Sequence, residues 1–177
     1  MNEKLKQIRL ALFARRNGVV ADALRAAGDP HELIMGCPLS DIIAVAREQA
    51  PSAELAEALW ADTKHRECRL LAPMLYPIES CDEATALRWC HEVLTEEEAD
   101  VLCHRLLRHL DCAVALMESL LKETPLLLRY TAFRLMLNLV MLHRFELKET
   151  MRELIKQEID LTHSKSMLQL LNCLLED

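Results

Sequence analysis

Four residues whose side chains could meet an anion are crowded into one stretch: His104, Arg105, Arg108 and His109. On a helix, position 104 neighbours 108, and 105 neighbours 108 and 109. The four could contact phosphate together, or simply form a solvated face. Two pairs, Cys90-His91 and Cys103-His104, raise the question of a metal. Adjacent helical residues point about 100° apart and do not readily meet one ion, so no metal site is expected. A Gly-rich phosphate loop, an HExxH motif, a nucleophile elbow and zinc-finger spacing are all missing from the sequence. Their absence sets aside several common enzyme classes, and no cofactor is expected. Trp60 and Trp89 fall near the ends of consecutive helical units. Each indole could fill the space between helices or offer a face for stacking on a nucleobase or deoxyribose.

These residues must be held by helices. The periodicity places a first helix from Asn2 to about Arg16 and a second over Val19 to Ala27, with Gly28 suited to a left-handed cap. Gly28 to Leu39, with Pro30, Gly36 and Pro38, reads as the long irregular connection, after which Ser40 or Asp41 caps Ile42 to Gln49. Ser52 caps the helix that ends at Trp60. His65 to Leu75 carries a buried stripe of Cys68, Leu71, Ala72 and Leu75, with Arg66 and Arg69 off it and Pro73 near its end. Ser80 or Asp82 starts the next helix, and Thr95-Glu96-Glu97-Glu98 forms a capping box opening a long helix to about Leu110. Asp111 to Glu123, Pro125 to about His143, Leu147 to Glu158 and Ser164 to Leu175 complete the series.

The expected fold is therefore all-α, an α-α superhelix of antiparallel helix pairs of the HEAT or armadillo kind with about ten helices, a compact bundle being the alternative. One helical-repeat domain is expected over 1–177, with N-terminal helices at about 1–28, repeat helices at about 39–145 and C-terminal helices at about 147–175. Composition agrees: 51% of the residues are hydrophobic, and only three Gly and six Pro interrupt 177 positions.

Seven cysteines without a CxxC pair point to reduced thiols, and the charged start lacks the apolar run of a signal peptide. The apolar stretch Leu135 to Leu142, broken by Asn138, is too short to span a bilayer. A cytoplasmic protein with no membrane partner is the expectation. Net charge is −7, against indiscriminate binding of nucleic acid, but the charges are unevenly placed. Residues 21–100 carry seventeen acids and six Lys or Arg, whereas 1–20 carry five Lys or Arg and one acid, and 101–145 carry six and three. Basic segments facing one side would keep a local cationic surface despite the acidic total.

Leu55-Ala56-Glu57-Ala58-Leu59-Trp60, a polar turn, and His65-Arg66-Glu67-Cys68-Arg69-Leu70-Leu71 together resemble the paired-helix motif of the DNA alkylation repair (AlkD-like) family of HEAT-repeat proteins. Trp89, Ala99-Asp100-Val101-Leu102, Leu127-Leu128-Arg129-Tyr130-Thr131-Ala132 and Asn17-Gly18-Val19-Val20 extend the resemblance over roughly residues 5 to 145. It implies a basic concave surface on duplex DNA and a glycosylase that removes N3- or N7-alkylated purines, with a carboxylate stabilising the sugar cation. On that resemblance Asp100 is the candidate catalytic carboxylate, and Arg129 is the candidate phosphate contact. Arg15, Arg16, Arg105 and Arg108 would join Arg129 if they surround one concavity. Asp100 can instead be an exposed carboxylate near a helix start, where negative charge favours the dipole, and Arg129 can be an ordinary surface arginine.

The chain departs from the family pattern at two points. Glu96-Glu97-Glu98-Ala99 stand where the family has aromatic residues before its aspartate, and no Trp follows Trp89. Three acids repel phosphate. Two readings follow: a protein that engages duplex DNA and excises alkylated purines, or a catalytically inactive helical scaffold that binds a protein partner or nucleic acid.

Overall fold

The structure is a computed structural model that describes residues 2 to 176; Met1 and Asp177, the ends of the expected domain, lie outside the described residues. Among the described residues the chain forms eleven α-helices and two 3₁₀ turns, with one isolated bridge between Leu33 and His65 in place of any sheet. It divides into two compact units, Met1–Asp82 and Glu83–Asp177.

The first unit contains α1 (Asn2–Ala14), α2 (Gly18–Ala26), α3 (Leu39–Arg47), α4 (Ala53–Trp60), α5 (Arg66–Leu75) and a 3₁₀ turn, Ile78–Ser80. Asn17 caps α2 by accepting from the Val19 and Val20 amides, and Ser52 caps α4 by accepting from Leu55. Helix α3 starts earlier than Ser40 or Asp41 would allow. Its N-cap is Pro38, whose fixed φ of −59° leads the chain directly into Leu39.

Helix α5 packs on α3 and α4 and is buried nearly all round. The expected stripe is inside, yet Arg66, Glu67 and Arg69, which lie off it, are inside as well. Buried charge persists only where it is paired and hydrogen-bonded. Here Arg69 lies 3.6 Å over the Trp60 ring and donates to the Trp60 carbonyl at 2.6 Å. Glu67 accepts from the amides of Met35, Gly36 and Cys37 at 3.1, 2.8 and 3.3 Å and from Arg66 at 2.9 Å. The irregular connection before α3 is thus tied to the core by one carboxylate.

The second unit contains α6 (Glu83–His91), α7 (Glu96–Arg105), a 3₁₀ turn (Leu107–His109), α8 (Ala113–Leu120), α9 (Leu126–Met141), α10 (Glu149–Leu161) and α11 (Lys165–Leu175). Helix α9 is its axis, packing against α6, α7, α8 and α11. Thr95 caps α7 by accepting from the Glu98 amide at 3.1 Å, and the Glu98 carboxylate reaches back to the Leu94 amide at 2.8 Å.

The long helix expected to reach Leu110 breaks at Leu106, whose φ of −124° and ψ of −65° are not helical. With three residues per turn after that break, Leu107 and Leu110 share the inward side. Both are buried, while Arg108 is half-buried and His109 is exposed. Trp60 and Trp89 are each at most 1% exposed, so both pack in the core and neither offers a stacking face.

Candidate nucleic-acid interface

Helices α7 and α9 lie against each other, and residues four apart on each form facing rows: Asp100 and His104 on α7, Tyr130, Arg134 and Asn138 on α9. At one end, the Tyr130 hydroxyl donates to Asp100 Oδ1 at 2.9 Å, and Arg134 Nε lies 3.1 Å from the same oxygen. Burial raises the Asp100 pKa above its ordinary value; Arg134 and Tyr130 oppose that shift, and Glu96 and Glu97 add to it. Burial and the Asp100 charge likewise push the Tyr130 phenol up.

The Asp100 carboxylate is about one-third exposed and lines a cavity of about 410 Å³ with Glu96, Glu97, Tyr130, Arg134 and, from α11, Gln169. Three carboxylates and one guanidinium line this cavity. It suits a cation or a neutral polar group and repels phosphate.

The other end of the row is cationic. Arg108 donates from Nη1 to His104 Nδ1 at 3.0 Å and from Nε to His109 Nε2 at 3.2 Å. Arg144 reaches the same turn, donating to the Leu110 carbonyl at 3.0 Å and to the Arg108 carbonyl. Burial, then Arg108, Arg105 and Arg134, lower the His104 pKa, with Asn138 opposing; burial, then Arg108 and Arg144, lower that of His109. Both shifts favour the neutral imidazole, the form in which His104 Nδ1 and His109 Nε2 can accept from Arg108. Among the described residues, no carboxylate ion-pairs with Arg105, Arg108 or Arg144.

The other candidate arginines are placed differently. Arg129 is ion-paired with Glu158 and donates to the Leu121 carbonyl at 3.0 Å, so it ties the start of α9 to α10 and to the end of α8. Arg15 donates to the Ala11 carbonyl at 2.9 Å and to Glu48 at 3.1 Å. Arg16 is exposed and covers the Phe13 ring at 4.2 Å. Arg134 and Arg144 were missed as site residues by reading the sequence. The signal that could have found Arg134 is the four-residue spacing of Tyr130, Arg134 and Asn138 on α9, facing Asp100 and His104.

Among the described residues, no three His, Cys, Asp or Glu side chains gather closely enough to hold a metal ion, and no helix is long and apolar enough to cross a membrane.

No family model matches the chain, and no curated protein matches it. Among solved structures it is similar to a protein from a family related to the HEAT-like repeat DNA glycosylases with affinity for branched DNA structures. That likeness has a TM-score of 0.77 at 17% sequence identity and covers 95% of this chain and 72% of the other. The fold is thus a HEAT-like helical repeat, in agreement with the all-helical architecture expected from the sequence.

Proposed function

We propose that this HEAT-like repeat protein binds DNA through the cationic cluster of its second unit, with Arg105, Arg108 and Arg144 meeting phosphates and His104 and His109 beside them. The observation that carries this reading is the set of three arginines with no carboxylate ion-paired to them among the described residues, in a chain of net charge −7. Arginine is suited to bidentate contact with phosphate, and a cationic cluster on an acidic protein concentrates attraction at one place. The similar solved structure, whose family has affinity for branched DNA, supports DNA as the partner and a junction as a substrate to compare with simple duplex.

The test is fluorescence anisotropy with a labelled duplex and a labelled four-way junction across a salt titration. Each phosphate contact removed by Arg105→Ala or Arg108→Ala should lower the slope of log K against log salt by about 0.9. Absence of binding at low salt to either DNA would overturn the reading and favour the helical scaffold that binds a protein partner.

A second reading, excision of N3- or N7-alkylated purines, is favoured by the partial exposure of Asp100 on its cavity. An alkylated purine is cationic and already a good leaving group, so fixed negative charge beside the anomeric carbon lowers the barrier to its departure. Glu96 and Glu97 would help attract that cation, whereas Arg134 offsets part of the Asp100 charge. Release of N7-methylguanine from duplex DNA, lost in Asp100→Asn, is the measurement that separates excision from binding alone. In both readings Arg129 acts by holding α9 to α10.

A further inference from the structure

The first unit contains a cavity of about 450 Å³ that the proposed interface does not use. Its volume lies in the range of small-ligand pockets. Its walls are mixed: Phe13, Leu33 and Ile34 are apolar, Arg16, Arg25 and His65 are basic or polar, and no carboxylate side chain lines it. Phe13 is 51% exposed and Leu33 46%, so an apolar and partly aromatic surface is left open at the cavity.

The polar groups are positioned rather than loose. His65 Nδ1 is 2.9 Å from an oxygen of Asp62, and Arg9 pairs with that same carboxylate at 2.6 Å. The ring nitrogen that remains for a ligand is Nε2. Arg25 is anchored to the Ile34 carbonyl at 3.0 Å and to Asp22 at 2.8 Å. Arg16 stacks on Phe13 and donates to the Phe13 carbonyl at 3.1 Å. Among the described residues no carboxylate pairs with Arg16, which leaves its charge for an incoming anion.

An aromatic face, apolar walls, an oriented ring nitrogen and an uncompensated guanidinium together match a planar heteroaromatic ring that carries a phosphate. Base stacking on aromatic side chains and Arg planes is tolerant of sequence. We infer that this cavity is a nucleotide-binding pocket in which a base lies beside Phe13 and its phosphate meets Arg16. The nucleotide can be a free mononucleotide or an unpaired nucleotide of a DNA strand; the second source rests on the DNA-binding reading above.

The test uses 2-aminopurine in two arms, as the free riboside 5′-monophosphate and as a single-nucleotide bulge in a duplex, with the full chain and with two variants. Phe13→Ala removes the stacking face at a half-exposed position. Gly18→Gln places a side chain at the cavity wall, where an added Cβ meets nothing within 4 Å. Folding of each variant is verified by circular dichroism.

The expected result is a change in 2-aminopurine fluorescence on binding wild-type protein in at least one arm, with affinity reduced about tenfold in Phe13→Ala and reduced also in Gly18→Gln. A response to the free nucleotide alone identifies a mononucleotide site; a response to the bulge alone identifies a strand site. No response in either arm, or an equal response from both variants and wild type, overturns the inference. Anisotropy of a fully paired duplex is read in parallel. If that duplex and the bulged one are not bound, the DNA-binding reading fails by itself, and the free-nucleotide arm alone decides the pocket.

Discussion

Tyr130 and Asp100 are joined across α9 and α7 by a 2.9 Å hydrogen bond in which the phenol donates to the carboxylate. That bond favours the ionised acid, whereas burial disfavours it, and burial wins: the folded pKa of Asp100 is raised from 3.8. The sign for stability follows. The contribution of a raised acid is full below its unfolded pKa and is lost as pH rises through the folded value. Urea midpoints of wild type should therefore fall relative to Asp100→Asn as pH rises from about 3.5 towards neutrality. Tyr130→Phe should raise the Asp100 pKa further, read by carboxyl-carbon NMR, and cost about 1 kcal/mol of stability. A downward shift in Tyr130→Phe would contradict the assignment.

Glu67 and Gly36 form the lock between α5 and the connection before α3. Glu67→Ala leaves Arg66 buried beside three amides that have lost their acceptor, and should cost about 3–5 kcal/mol by urea denaturation. Gly36 has φ +73°, and a Cβ there would lie 2.2 Å from the Asn17 carbonyl oxygen and 2.6 Å from the Ala21 amide nitrogen. Gly28 has φ +86° but open space around it. Gly28→Ala should cost about 1–2 kcal/mol, and Gly36→Ala should cost clearly more because the backbone itself must move. Equal midpoints for the two variants would refute this account.

His104 and His109 give DNA binding a pH dependence. Both pKa values are lowered below 6.5 by burial and neighbouring arginines. A bound phosphate offsets those arginines and favours the imidazolium, so binding takes up protons and tightens as pH falls through the depressed values. Anisotropy at constant ionic strength should show tighter binding at about pH 5.5 than at about pH 8. A His104→Gln, His109→Gln double variant should lose that dependence. For the free protein the sign is opposite: a lowered histidine pKa contributes stability above 6.5 that is lost as pH falls through the folded value.

The seven thiols should separate by accessibility. Burial pushes Cys37 up to about 11 and Cys68 up to about 12, and raises fully buried Cys103 as well. Cys173 is exposed and Cys112 is intermediate. Only thiolate reacts with an alkylating reagent, so mass spectrometry after brief treatment of the native protein should find Cys173 labelled first and Cys112 more slowly. Cys37, Cys68, Cys81, Cys90 and Cys103 should react only after unfolding. Early labelling of Cys68 would mean that α5 is not buried as described.

The helices themselves were legible because their signals are local. Ser52 and Thr95 cap the helices they precede, Gly28 takes its left-handed turn, and the apolar spacing from Cys68 to Leu75 is a buried stripe, since capping and periodicity depend on residues within one or two turns. The uneven charge was legible for the same reason, as was the basic group at His104, Arg105, Arg108 and His109. The pairing of the remaining arginines was not, because their partners are distant in sequence. Arg129 could be read as facing phosphate until Glu158, 29 residues later, is brought against it. Arg134 becomes the partner of Asp100 only when α9 packs on α7. Arg66 and Arg69 fall off the apolar stripe of α5, yet tertiary packing surrounds that helix, and Glu67 and Trp60 compensate their burial. The break at Leu106 comes where the chain passes into a 3₁₀ turn with Leu107 and Leu110 buried. Sequence alone determined which segments are helical and where charge is concentrated; only the tertiary structure decided which charges neutralise one another, because Coulomb energy depends on distance through space and on the water that folding removes.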